Sequence, residues 1–236
     1  MASILERLIQ YESDILYQMP PEHDHPEFAL QTGTIPVLLS APHGAVHTRH
    51  GALKDEDEFT AAISRLVAEE TGAYVLYARR KSATDPNFYA DVPYKKALQQ
   101  IVAQARIEFI LDIHGSSARR DFGLALGTMH GQSCPAHLEL LLRTLHHNGF
   151  ARNLSGRSRV DVDIVFPAAG GSKVETITRF AWHKLRVPAA QMEINAHLRI
   201  VRRKLDASLP GPFTGDPTQI EKTVFAIRDV VRALSQ

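Results

Sequence analysis

The sequence predicts an α/β fold, a mixed and mostly parallel sheet flanked by helices. Short apolar runs rich in strand-forming residues recur at 35–40 (IPVLLS), 73–78 (AYVLYA), 107–113 (IEFILDI), 122–129 (FGLALGTM), 162–166 (VDIVF) and 189–194 (AAQMEI). Helix-like stretches lie between most of them, and this alternation is the signature of an α/β sheet. The chain has 236 residues and is 44% hydrophobic, enough for one sizeable core.

The elements follow in order. The N-terminal 1–18 (MASILERLIQYESDILYQ) intersperses Glu6, Arg7, Glu12 and Asp14 among apolar positions, which predicts an amphipathic helix and not a signal peptide. Helices are expected at 57–72, 93–106, 136–149 and 173–185. In the second of these, Ala97, Ile101 and Val102 form an apolar stripe opposite Lys and Gln. Gly72 and Gly149 stand where C-cap glycines belong. The Pro/Gly-rich 208–217 reads as a surface loop, followed by a last helix over 217–235 that covers one sheet face. No internal repeat or low-complexity block divides 1–236, so one domain is expected.

Charge narrows the partners. Lys and Arg number 27 against 26 Asp and Glu, so no general attraction to nucleic acid or an anionic membrane is expected. No run approaches the ~20 apolar residues of a membrane span. Cys134 is the only cysteine, which excludes an internal disulfide and fits a reduced thiol in the cytoplasm.

Two strand-like runs end in the same way, in SAPHG (40–44) and in DIHGS (112–116). Ligands in open α/β sheets gather beyond the carboxyl ends of the strands. His43, Arg79, Arg80, Asp112, His114 and Glu193 all lie at or just past such ends. A histidine at a strand end is ordinarily a hydrogen-bonded structural residue, but two in matching His-Gly contexts point to a shared site. Imidazole is a common ligand of zinc, and a catalytic zinc takes three protein ligands. His43 and His114 are two candidates, each followed by a glycine expected to permit a sharp turn and leave room. The third ligand is a carboxylate or another histidine. Within KDEDEF (54–59), Asp57 is the first candidate and Glu56 its close competitor, although acidic residues at a helix start also complement its dipole. Imidazole and carboxylate accept other divalent ions too. Glu193, the one charge in an apolar strand, is a candidate general base. Arg79 and Arg80 offer planar forks for a carbonyl or carboxylate. Asp112 is placed to orient a ligating imidazole.

SAPHG, an acidic residue three before Thr60, DPN (85–87), DIHG and QMEIN (191–195), in that order, resemble the N-formylglutamate amidohydrolases. These relate more distantly to the zinc carboxypeptidases and the aspartoacylase group. The resemblance spans roughly 35–200 and implies a zinc-exopeptidase-like fold. It implies one zinc held by His43, Asp57 and His114, water activated by Glu193, and cleavage of the amide bond of an N-acyl, N-formyl-like amino acid or short peptide-like substrate. In the aspartoacylase-like relatives an arginine precedes the asparagine of an Asp-x-Asn-Arg step by seven residues. Arg80 stands in that relation to Asn87, which implies carbonyl polarisation by Arg80 and substrate contact by Asn87. The family's arginine after the asparagine is replaced here by Phe88, so the charge for a substrate carboxylate must come from elsewhere. Arg79, Arg119, Arg120 and Lys173 are the candidates. An esterase or peptidase of the same fold, or a metal-binding member without activity, are the alternatives.

Overall fold

The computed structural model describes residues 2–23 and 25–236; Met1, the first residue of the expected N-terminal helix, and Asp24 lie outside them. Helix α1 (Ile4–Ser13) is fixed at its start by a reciprocal capping box, in which Glu6 N–H donates to Ser3 Oγ and Ser3 N–H to Glu6 Oε2. It is shorter than expected. Leu16 N–H donates to Arg79 O, drawing the chain out of the helix, and Tyr17 turns into the core.

Tyr17 donates to Glu12 Oε1, which also accepts Phe59 N–H at 2.7 Å. Among the described residues, Glu12 Oε2 meets no donor. Burial therefore lifts this carboxyl from 4.5 to about 7, against the hydrogen bonds of Tyr17 and Phe59. Between those values the native chain binds more protons at Glu12 than the unfolded chain, so its stability falls as pH rises through the window, by about 3 kcal/mol. Glu12→Gln keeps an acceptor for both donors and carries no charge. Urea unfolding should find the variant equal to the parent near pH 4.5 and more stable by about that amount at pH 8. Parallel pH profiles for the two proteins would refute the linkage.

The remaining elements are β1 (Phe28–Gln31), β2 (Val37–Ala41), β3 (His47–Arg49), β4 (Ala52–Lys54), α2 (Thr60–Thr71), β5 (Tyr74–Ala78), α3 (Pro93–Ala105), β6 (Phe109–Ser116), β7 (Leu124–Gly127), α4 (Leu138–His147), β8 (Val160–Val162), α5 (Ile177–Phe180), β9 (Ala189–Asn195) and α6 (Pro217–Leu234). Seven strands form one sheet in the order β1-β5-β2-β6-β9-β7-β8. The four central strands β5, β2, β6 and β9 are parallel, while β1 and β7 run antiparallel to their inner neighbours. Every residue of β2 is buried, as both faces of a parallel core strand must be. One face packs against α1, α2, α4 and α6, the other against α3 and α5. Gly72 and Gly149 adopt φ of +82° and +76° past α2 and α4, as C-cap glycines do.

Two further expectations need correction. The strand at 162–166 lies at Val160–Val162 instead, because Asp163 takes φ +58° and accepts Thr128 N–H at 2.7 Å, turning the chain away. The helix at 173–185 is confined to α5 and a following π-helical turn, Ala181–Leu185. Its start waits for Thr176, whose Oγ1 caps Arg179 N–H, because Glu175 N–H is committed to Phe88 O. A hairpin is also present where no strand-like run marks it. Strands β3 and β4 are joined through His50 and Gly51, both at positive φ as a two-residue hairpin turn requires.

Candidate metal centre

The site lies past the carboxyl ends of β2, β6 and β9. Parallel pairing sets His114 beside Glu193 and Asp112 beside Gln191, so these four side chains share the α3/α5 face. His43 follows β2, and its carbonyl accepts Asp57 N–H at 2.7 Å. Asp57 O in turn accepts both Thr60 N–H and Thr60 Oγ1–H at the start of α2. Two distant loops are thereby pinned together.

His43 Nδ1, His114 Nδ1 and Asp57 Oδ2 form a triangle with edges of 3.2, 3.3 and 3.4 Å. A tetrahedral zinc with ligands at about 2.0–2.1 Å spaces its ligand atoms about 3.3–3.4 Å apart. The outer nitrogens are already committed. His43 Nε2–H donates to Asp85 Oδ1 and His114 Nε2–H to Asp112 Oδ2, each at 2.9 Å. Carboxylates only accept, so these bonds hold each imidazole proton on Nε2 and turn the Nδ1 lone pair inward. Three acceptor atoms facing one another could hold a cation between them, and two imidazoles with a carboxylate are a donor set of the kind that zinc takes. All three residues are largely buried.

The electrostatics agree. Burial pushes the Asp57 and Asp85 carboxyls up. The imidazoles outweigh it, His114 and His43 on Asp57 and His43 and His47 on Asp85, and hold both well below the usual carboxylate range. For His43 and His114 burial likewise opposes the charge, and the carboxylates beside them raise both; the raised values mean that a proton and a metal ion compete for the same Nδ1 atoms. Burial, with the negative charge of Asp57, lifts Glu193 to about 7, against the pull of His114, His43 and Arg199. Gln191 Nε2–H donates to Glu193 Oε1 at 2.9 Å and fixes the carboxylate's direction.

Other expected site residues are placed elsewhere. Glu56 is not at the triangle; its oxygens accept Ser208 N–H and Oγ–H. Arg80 is turned to Pro20 O and Glu22 and Arg79 to Asp14 O, because both emerge beside the N-terminal segment that pairs with β5's end. Asn87 supports the site indirectly, receiving Ile177 N–H and donating its own N–H to Asp85 Oδ1. Arg119 and Arg120 are exposed on the turn after β6, with Arg120 over the Phe166 ring. Lys173 is also exposed.

Asp85 and His47 were not singled out in the sequence as site residues, nor was Arg49. Asp85 is fully buried and accepts from His43, Arg49 and Asn87 N–H, with His47 Nε2 at 3.4 Å. His47 stacks on His43, with centroids 4.0 Å apart. Arg49 uses one edge of its fork on Asp85 and keeps 34% of its side chain exposed. The DPN motif was a usable signal for Asp85, since a carboxylate opening a tight turn pairs readily with a neighbouring loop.

The fold and this triangle describe an α/β protein with a group of side chains that could hold a divalent ion. Among solved structures, N-formylglutamate amidohydrolase from Ralstonia eutropha JMP134 superposes with a TM-score of 0.55 at 15% identity, covering 88% of this chain and 97% of that one. The Agrobacterium tumefaciens gene product Atu2144 gives 0.52 at 12% identity, covering 89% and 94%. A bacteriophage poly-gamma-glutamate hydrolase gives 0.50 at 13%, covering 89% and 91%. At such identities the likeness is one of fold, and the fold it indicates is the one that the motif resemblance implies. No family model and no curated protein matches the sequence. Among the described residues no helix is long and apolar enough to cross a membrane.

Proposed function

We propose that the chain is a zinc-dependent amidohydrolase that cleaves the amide bond of an N-acyl amino acid, working in the cytoplasm. The observation that carries this reading is the triangle of His43 Nδ1, Asp57 Oδ2 and His114 Nδ1 beside a buried carboxylate, Glu193. Those three residues would hold the ion, which when bound supplies Lewis acidity and brings the pKa of water toward about 7. Glu193 takes a proton from water as it attacks the amide carbonyl, then returns it to the departing amine. Asp85 and Asp112 hold the imidazoles in the tautomer that ligation needs.

Arg80, expected to polarise the carbonyl, is committed to Glu22. Arg49 is assigned the substrate-gripping role because Phe88 stands where the resemblance implies that arginine. Its partly exposed guanidinium beside Asp85 offers charge for the carboxylate of the substrate's amino acid.

The test is elemental analysis of protein purified without added metal or chelator, followed by product analysis over a panel of N-acyl amino acids, their carboxamides, esters and short peptides. About one equivalent of zinc per chain and release of free amino acid from N-acyl amino acids are expected, with KM raised at least tenfold for the carboxamides, which lack the charge that Arg49 binds. A metal-loaded protein inert across the panel would leave the reading as a metal-binding chain without activity. Preference for esters or peptides would change the bond, and absence of metal would remove the proposal.

A further inference from the structure

Arg199 follows β9 on a short 3-10 turn, Ala196–Leu198, and only 5% of its surface is exposed. Its guanidinium donates to three backbone carbonyls: Nη1 to Glu58 O at 2.5 Å, Nε to Ile194 O at 3.1 Å and Nη2 to Ser116 O at 3.4 Å. Glu58 is the residue after Asp57, Ile194 the residue after Glu193, and Ser116 lies two past His114. One side chain thus ties the three segments that carry the carboxylate ligand, the general base and the second imidazole.

The room it occupies is provided by Gly115. A Cβ at that position would lie 2.5 Å from Nε and 2.6 Å from Cζ and Nη2 of Arg199. Gly115 has no positive φ, so space and not backbone freedom accounts for the glycine. A buried cation is costly unless its donors are satisfied, and only a rigid planar fork reaches carbonyls in three directions; an ammonium is a point charge.

We propose that Arg199 is a positioning residue that sets the spacing of Asp57, His114 and Glu193, an inference resting on the metal-centre reading above. The probe is Co2+ alone, followed by its visible absorption, which reports ligand geometry, and by competition with a chelator. Two variants disturb the clamp: Arg199→Lys removes the fork, and Gly115→Ala pushes it aside without removing its charge. Arg203→Met serves as control, because Arg203 binds the Glu58 side chain at 2.9 Å and touches none of the three carbonyls.

Both clamp variants should unfold cooperatively, bind Co2+ at least tenfold more weakly than the parent and show a changed absorption spectrum. The control should lose stability yet keep its Co2+ affinity within twofold. Parent-like affinity and spectrum in both clamp variants overturn the proposal. So does an equal loss of affinity in Arg203→Met, or failure of both clamp variants to fold, either of which makes the role purely structural. A parent that takes up no Co2+ sinks the metal reading and this proposal together, whereas binding by the parent with no change in the variants sinks this proposal alone.

Discussion

Glu193→Gln is expected to lower kcat by about 10²–10⁴-fold while the chain keeps its metal. The substitution preserves size and the neighbouring amide of Gln191, so packing changes little. What disappears is the capacity to take and return a proton. Glu193 is outside the triangle of ligand atoms, and metal content should therefore match the parent by elemental analysis. Parallel loss of metal and activity would make Glu193 a ligand. Undiminished turnover would remove it from the chemistry altogether.

His114→Ala should lose both metal and activity, and stability as well. The loss of a ligand atom should exceed the ~10–100-fold in affinity that follows removal of an outer hydrogen-bond partner. The change also strands Asp112, which is fully buried and bonded through Oδ2 to His114 Nε2 while its Oδ1 meets no donor among the described residues. Breaking a buried pair from one side costs about 3–5 kcal/mol. Elemental analysis together with urea unfolding reads both effects. Full metal occupancy in this variant would place the ion elsewhere in the chain.

Much of this arrangement was legible in the residues. Strand-like runs that end in Pro-His-Gly and Ile-His-Gly place two histidines at the sheet's carboxyl edge, and the fold brings His43 and His114 together there. Asp57 was separable from Glu56 only through the resemblance; the physical distinction is that Asp57 N–H is held by His43 O while Glu56 is drawn to Ser208. What the sequence concealed was long-range pairing. Arg80 sits at a strand end, as expected, but a segment some sixty residues earlier claims its guanidinium. Asp85 and Arg199 act through partners far along the chain, which no local pattern encodes. The two glycines after the histidines were legible as special, for a sharp turn and for room around the metal. Neither has positive φ. At Gly44 a Cβ would meet Ala78 O at 2.4 Å, and at Gly115 it would meet Arg199. Both positions are glycine because other atoms need the space.

The parallel pairing that sets His114 against Glu193 also governs when the site can come into being. Residues 43, 57, 114 and 193 reach one another only after crossovers have brought β2, β6 and β9 side by side, and pairings so remote in sequence are slow to nucleate. On the proposed function, an ion would find its ligands at the end of the folding reaction and not at its beginning. In this respect the chain is the reverse of a small zinc module, whose ligands lie close in sequence and whose metal organises the polypeptide around itself.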